Sequence, residues 1–184
     1  MGLIEQSAAR LFVTDTDAST IVEIANPLSA KFDTLRPSLA CRPRRFGGPQ
    51  PSSRHAPRRG ALTKIGARFN STDGETRAVA VAWTGLSEPQ HWSGSARDVD
   101  FFDVKGLVER LGSVLNVGVT FQPIVLPFLA EGQSASVVSG NTPIGIVGRL
   151  APAVDDQRGA PRQDSIYVAE LSLDLIATLP LDAG

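Results

Sequence analysis

The stretch FFDVKGLVERLGSVLN, Phe101 to Asn116, decides how the rest of the chain is read. Val104, Leu107, Val108, Leu111 and Leu115 recur at i, i+3, i+4, i+7 spacing, which gathers them on one face of a 3.6-residue period. The spacing predicts a helix with Asp103 as its N-cap and Gly118 just beyond its end. Downstream, VGVTFQPI, SASVVSG, TPIGIVGRL and SIYVAELSL read as four strands separated by Pro, Gly and Asn turns. SGNTP between two of them is a tight turn, which implies antiparallel pairing. SLDLIATLP reads as a short helix starting near Asp174. One amphipathic helix and a short tail helix among strands of this kind mean an α+β fold, a predominantly antiparallel sheet flanked by helices.

Upstream, ALTKIGARFN leads through the turn STDGET into RAVAVAWTG, where Val79, Val81 and Trp83 share one face of a strand and Ala78, Ala80 and Ala82 the other. A face of alanines lets another element approach closely. RLFVTD and STIVEIANP read as two short strands around DTDA, a hairpin ending at Asn26-Pro27. In LSAKFDTLRPSL, Leu28, Phe32 and Leu35 have near-helical spacing until Pro37 interrupts. LSEPQHWSGSARDVD is a polar loop that delivers the chain to the helix.

The chain has 184 residues, enough for one domain with a proper core, and its 42% hydrophobic and 20% charged content is that of a globular protein. It holds no apolar run of about 18 residues, and MGLIEQSAARLFV lacks the basic and apolar regions of a signal peptide. A soluble, cytoplasmic protein without membrane contact is expected. The single Cys41 excludes an internal disulfide and a cysteine-based metal site.

Net charge is -1, but it is unevenly placed. Nine of the 18 basic residues fall between Asp33 and Asp73 with no acid among them, leaving 9 basic against 19 acidic residues elsewhere. That acidic remainder has no electrostatic attraction for nucleic acid. The basic excess peaks in SLACRPRRFGGPQPSSRHAPRRGALTK, Ser38 to Lys64, with six arginines and four prolines.

Catalytic patterns are missing. Only His55 and His91 could serve as a base, and GQSAS at Gly132 to Ser136 lacks the closing glycine of a nucleophile elbow. GNTPIGIVG has neither the Walker lysine nor the dinucleotide-binding glycine order, so its glycines read as turn and strand-crossing positions. Asp98, Asp100 and Asp103 read as a cap and solvated loop acids rather than a cation site.

Five segments, in order, resemble the β subunit of bacterial phenylalanyl-tRNA synthetase. VEIANPLSAKFDTLRPSL is similar to that family's strand-turn-helix, running from Asn-Pro to Leu-Arg-x-Ser-Leu. IGARF is similar to the end of its Phe-Glu-Ile-Gly-x-x-Phe strand, with Thr63-Lys64 in place of Phe-Glu. DVDFFDVKGLVERLG resembles the Asp-Phe-Phe-Asp-x-Lys-Gly signature and its helix, the most specific of the five. IGIVGRLAPAV and IYVAELSLDLI resemble the strands that close the domain.

The resemblance implies a partial, catalytic-like core similar to that of class II aminoacyl-tRNA synthetases, without catalytic, cofactor or metal residues of its own. It implies an α subunit as partner, on which ATP and Mg2+ serve the charging of tRNA with phenylalanine, and only indirect contact with tRNA. Asn26, Pro27, Arg36, Phe101, Phe102, Asp103, Lys105 and Gly106 then become candidates for structural or subunit-interface positions. If the approach to the helix is extended, Phe101 and Phe102 point to opposite sides, one into the core and one toward a neighbouring layer. Asp103 caps the helix, Gly106 permits close helix-sheet packing, and Lys105 is solvated or forms an interfacial salt bridge. The planar guanidinium of Arg36 suits fixed contacts at an interface.

The family continues from Leu-Arg-x-Ser-Leu into a Leu-Pro-Gly-Leu-Leu helix, whereas here the Arg/Pro-rich stretch follows. Re-reading the codons of Ala40 to His55 one nucleotide later permits PAGLVDSVAHNRRHG, which has apolar residues at helical spacing. Residues 40–63 are accordingly read as an irregular segment, disordered or frame-shifted, within a single partial domain spanning 1–184; sequencing the coding DNA decides between them. Two other readings stand beside this one: a free-standing RNA-binding module using the basic 41–60 segment, and a non-functional remnant.

Overall fold

The computed structural model describes residues 3–14, 17–27, 32–41, 60–87, 97–157 and 165–179. In chain order these form β1 (Leu3–Ile4), α1 (Gln6–Arg10), β2 (Thr34–Leu35), β3 (Gly60–Asn70), β4 (Gly74–Thr84), α2 (Phe101–Val114), β5 (Thr120–Pro123), β6 (Leu129–Ser139), β7 (Thr142–Leu150), α3 (Pro152–Gln157), β8 (Ile166–Ser172) and α4 (Leu173–Thr178). Six strands make one sheet in the order β3-β4-β8-β7-β6-β5, and every neighbouring pair is antiparallel. The α+β architecture expected from the sequence is present. Among the described residues no helix is long and apolar enough to cross a membrane.

Local sequence explains the two long hairpins. Between β3 and β4 the Asn70 side chain accepts the Thr72 backbone N–H at 2.9 Å and that of Asp73, and Gly74 follows at φ 70°. Asn70 then faces Gly74 in register. Between β6 and β7, Ser139 pairs with Thr142, and Gly140 takes the first turn position at φ 57°, which glycine adopts without strain.

The sheet has two different faces. On one, Val79, Ala135, Val137, Val147, Ala169 and Leu171 pack under Val104 and Val108 of α2. On the other, Leu39 closes over Ala78 and Ala80, so the alanine face does admit another element, here the 3-10 turn Leu39–Cys41. Nearby, Ile4, Ala9 and Phe12 from the N-terminal segment bury against Phe128, Leu129, Leu150 and Ile166, with the Phe12 and Phe128 rings 5.2 Å apart.

Helix α2 begins and ends otherwise than its spacing predicts. Asp100, not Asp103, is the N-cap, with its backbone extended at φ −127°. Asp103 is three residues inside and completes a capping box, because the first turn leaves backbone N–H groups that only side chains can satisfy. At the other end Asn116, at φ 52°, takes the left-handed position expected of Gly118. The Val117 N–H reaches back to the Gly112 carbonyl at 2.9 Å and the Asn116 N–H to the Ser113 carbonyl at 3.3 Å, a Schellman closure.

The N-terminal expectations fare worse. Arg10 to Thr14 of RLFVTD form no strand: Arg10 ends α1, and a turn follows that buries Phe12, while Asp15 lies outside the described residues. Of STIVEIANP only Glu23 pairs, with Thr34, so the hairpin is not formed. Leu35 lies in β2, opposite Leu3, rather than on a helix; Leu28 lies outside the described residues. Of the segment 40–63, both ends are ordered. Ala40 and Cys41 are buried in the 3-10 turn, and Gly60 to Thr63 pair with Thr84 to Val81, because the alanine face and the β4 edge supply partners that the local composition does not reveal. Residues 42–59 lie outside the described residues.

Candidate functional site

The start of α2 combines charge order with exposed apolar surface. Arg97 stands before the helix and donates through Nη1 to Asp100 at 3.2 Å and to Asp103 at 2.9 Å, and through Nη2 to Asp103 at 2.6 Å. The backbone N–H of Asp103 donates to the Asp100 carboxylate at 3.0 Å, and that of Asp100 to the Asp103 carboxylate at 2.8 Å. The Arg97 hydrogen bond, more than any other cause, holds the Asp103 carboxyl below its usual range. One turn on, Lys105 pairs with Glu109 at 3.2 Å and lies 4.9 Å from the centre of the Phe121 ring.

Phe101 and Phe102 are helical, so the extended arrangement that would have sent them to opposite layers is not present. Phe101 is half-buried against the sheet, and Phe102 is 73% exposed, edge-on to it at 5.8 Å. Phe101, Phe121, Ile124 and Val125 line a shallow hollow of about 370 Å³. Val125 is itself 76% exposed. The result is an apolar surface beside a fixed charge cluster. It is a surface suited to protein contact.

Other candidates fall elsewhere. Gly106 is exposed, and a methyl group there meets nothing within 4 Å, so it does not serve close packing; Gly112 does, because α2 turns back on itself just after it. Arg36 is buried, and its Nε donates to the Ala67 carbonyl at 2.6 Å while its own carbonyl accepts the Phe69 N–H at 2.9 Å. The fixed contacts expected of its guanidinium are thus made inside the chain. Asn26 lies in a bend and is exposed, and Pro27 follows it half-buried. His55 and His91 lie outside the described residues. Among the described residues no three metal-ligating side chains come together.

A residue not singled out from the sequence ties the fold together. Glu170 in β8 is 4% exposed and accepts from the Ser38 hydroxyl at 2.7 Å, the Leu39 N–H at 2.8 Å, the Ala40 N–H at 3.3 Å and Arg68 at 3.4 Å. Its signal was present, for it is the one acid inside the apolar run IYVAELSL. Segments far apart in sequence, LRPSL, IGARF and IYVAELSL, meet at this carboxylate.

The model of the phenylalanyl-tRNA synthetase beta chain CLM domain matches residues 1–173. The chain belongs to that family. Among curated proteins, the phenylalanine–tRNA ligase beta subunit of Idiomarina loihiensis is 30% identical over 173 residues, 90% of this chain and 21% of the relative. The beta subunit of Dehalococcoides mccartyi is 28% identical over 159 residues, 84% of this chain and 19% of the relative. That of Symbiobacterium thermophilum is 36% identical over 99 residues, covering 53% and 11%. This chain of the beta-chain family thus spans about a fifth of the length of the first two relatives.

Proposed function

We propose that this chain acts as a non-catalytic core domain of a phenylalanine–tRNA ligase beta subunit, supporting an α subunit that carries out the ATP-dependent charging of tRNA with phenylalanine in the cytoplasm. The observation that carries the reading is the exposed apolar surface at the start of α2, within the family's most specific motif: Phe102 and Val125 remain 73% and 76% exposed beside a rigidly capped helix end. Exposed aromatic surface on a fixed support is what a protein partner uses. In this reading ATP and Mg2+ belong to the partner, and tRNA is contacted only indirectly. The antiparallel sheet with a helix across one face supports the likeness to a class II synthetase core.

Co-expression with a tagged α subunit from the same organism tests it. Wild-type chain is expected to co-purify. Phe102→Glu places an acid in the first turn of a helix, which the helix dipole favours, so the fold is kept. Its recovery is expected to fall about tenfold or more, as for loss of an interfacial aromatic anchor. Undiminished recovery of the variant, or no recovery of the wild type, overturns the reading.

A further inference from the structure

Strand β3 is one edge of the six-stranded sheet, and its outer side is filled over part of its length. There the Ala67 carbonyl accepts from Arg36 Nε at 2.6 Å, and the Phe69 N–H donates to the Arg36 carbonyl at 2.9 Å. Backbone groups alternate sides along an antiparallel strand, so the N–H and C=O of Ala61, Thr63 and Ile65 point outward as well, while the residues between them bond to β4. Among the described residues nothing pairs with those outward groups. Ala61, Leu62, Thr63 and Ile65 are all exposed, and the two large apolar side chains, Leu62 at 46% and Ile65 at 69%, lie on opposite faces of the sheet. The other edge of the sheet, β5, is four residues long and ends in Pro123, which has no N–H to give.

We propose that β3 pairs with β3 of a second copy of this chain, antiparallel about a two-fold axis at Thr63. The contacts already made select that register. With the axis at Thr63, Ala61 faces Ile65 of the second copy and Thr63 faces its own counterpart, so every outward group from 61 to 65 is bonded, two hydrogen bonds to each facing pair. Moving the axis to Ile65 sets Ala67 and Phe69 against the second copy, where Arg36 already holds their outward groups. Moving it to Ala61 carries the pairing past Gly60, where β3 begins.

The side chains are complementary in the same register. Branched Ile65 lies beside the small Ala61 of the second copy, Thr63 pairs with Thr63, and Leu62 stands opposite Lys64, whose methylene stem covers it. No like charges face each other directly. A two-fold contact uses the same patch on both copies, so the assembly closes at a dimer. The pairing goes beyond the role proposed above, whose apolar surface borders β5 at the far edge of the sheet, so the two ideas fail separately.

Sedimentation equilibrium of the isolated full chain, with neither α subunit nor tRNA present, tests the pairing. Wild type is expected to pass from monomer to dimer with a dissociation constant on the order of 10–100 μM, as for an interface at the small end of the range. Thr63→Pro removes an outward N–H without touching the β4 ladder, and Ile65→Lys sets a charge on the exposed edge; each is expected to weaken the dimer about tenfold or more with the circular dichroism spectrum retained. Phe102→Glu is expected to dimerise as the wild type does. In Thr63→Cys the two facing α-carbons lie about 5.5 Å apart, within reach of a disulfide, so mild oxidation is expected to give a covalent dimer that wild type, with its single buried Cys41, does not form. A wild type that stays monomeric at about 500 μM, well above the expected constant, overturns the proposal. So does growth beyond a dimer, undiminished pairing in both Thr63→Pro and Ile65→Lys, loss of the dimer in Phe102→Glu, or no covalent dimer from Thr63→Cys.

Discussion

Gly106 and Gly112 lie in the same helix and answer a methyl group in opposite ways. At Gly106 an added Cβ meets nothing within 4 Å, so Gly106→Ala only removes glycine's entropic cost in a helix and is expected to stabilise the chain by about 0.5–1 kcal/mol. At Gly112 the same Cβ falls 2.8 Å from the Val117 carbonyl oxygen and 3.1 and 3.2 Å from the Val119 methyls. The carbonyl belongs to the return that closes the helix, so backbone has to move, and Gly112→Ala is expected to cost about 1–3 kcal/mol. Denaturant titration of the two variants checks the pair; the opposite ranking removes the account of how α2 ends. Sequence alone favours Gly106 because it stands in a motif. What singles out Gly112 is the left-handed Asn116, whose effect appears only once the chain has turned back.

At the scale of the element, α2 depends on a reciprocal cap held by Arg97. Asp103 has its carboxyl depressed chiefly by the Arg97 hydrogen bond, with the Asp100 backbone N–H and the Arg97 charge adding to it and burial opposing it. A folded-state value below the unfolded one means that ionised Asp103 stabilises the helix above the ordinary carboxylate range, and that this contribution is lost as the pH falls through the folded value. Asp103→Asn is therefore expected to cost about 1 kcal/mol at neutral pH. The gap from wild type should close as acid protonates the carboxylate. A gap that stays constant down to the acid limit of folding removes Asp103 from this role. Periodicity made α2 legible, and short apolar runs between turn residues made the strands from β5 to β8 legible, β8 being buried along its whole length. The short N-terminal elements were not legible: α1 has only Ala9 buried among its residues, and the turn after it is set by Phe12 packing on Phe128, a contact between distant parts of the chain. Helix α3 did leave a local signal, proline at its first position, where the missing N–H costs nothing.

For the molecule as a whole, the carboxylate of Glu170 is a buried polar tie between the N-terminal segment and the sheet. Glu170→Ala leaves the Ser38 hydroxyl and the Leu39 and Ala40 N–H groups without their buried acceptor, and is expected to cost about 3 kcal/mol, from about 1–3 kcal/mol for each such group partly relieved by relaxation. Amide hydrogen exchange at Leu39 and Ala40 should quicken, and less so in Glu170→Gln, which keeps one carbonyl acceptor. Unchanged exchange in Glu170→Ala removes the tie. The meeting at Glu170 of three separate segments was not readable from any one of them, because a lone acid in an apolar strand announces a partner without naming it. The strand order also governs when the molecule becomes whole. β8, the last of the described strands, lies between β4 and β7, so the β3–β4 hairpin and the β5–β6–β7 meander are local units with no shared edge until it arrives. During synthesis from the N-terminus, both half-sheets must wait with open edges until Ile166 to Ser172 has left the ribosome. A nascent chain stalled before that point carries two unfinished sheets, each offering its bare edge to any neighbouring strand.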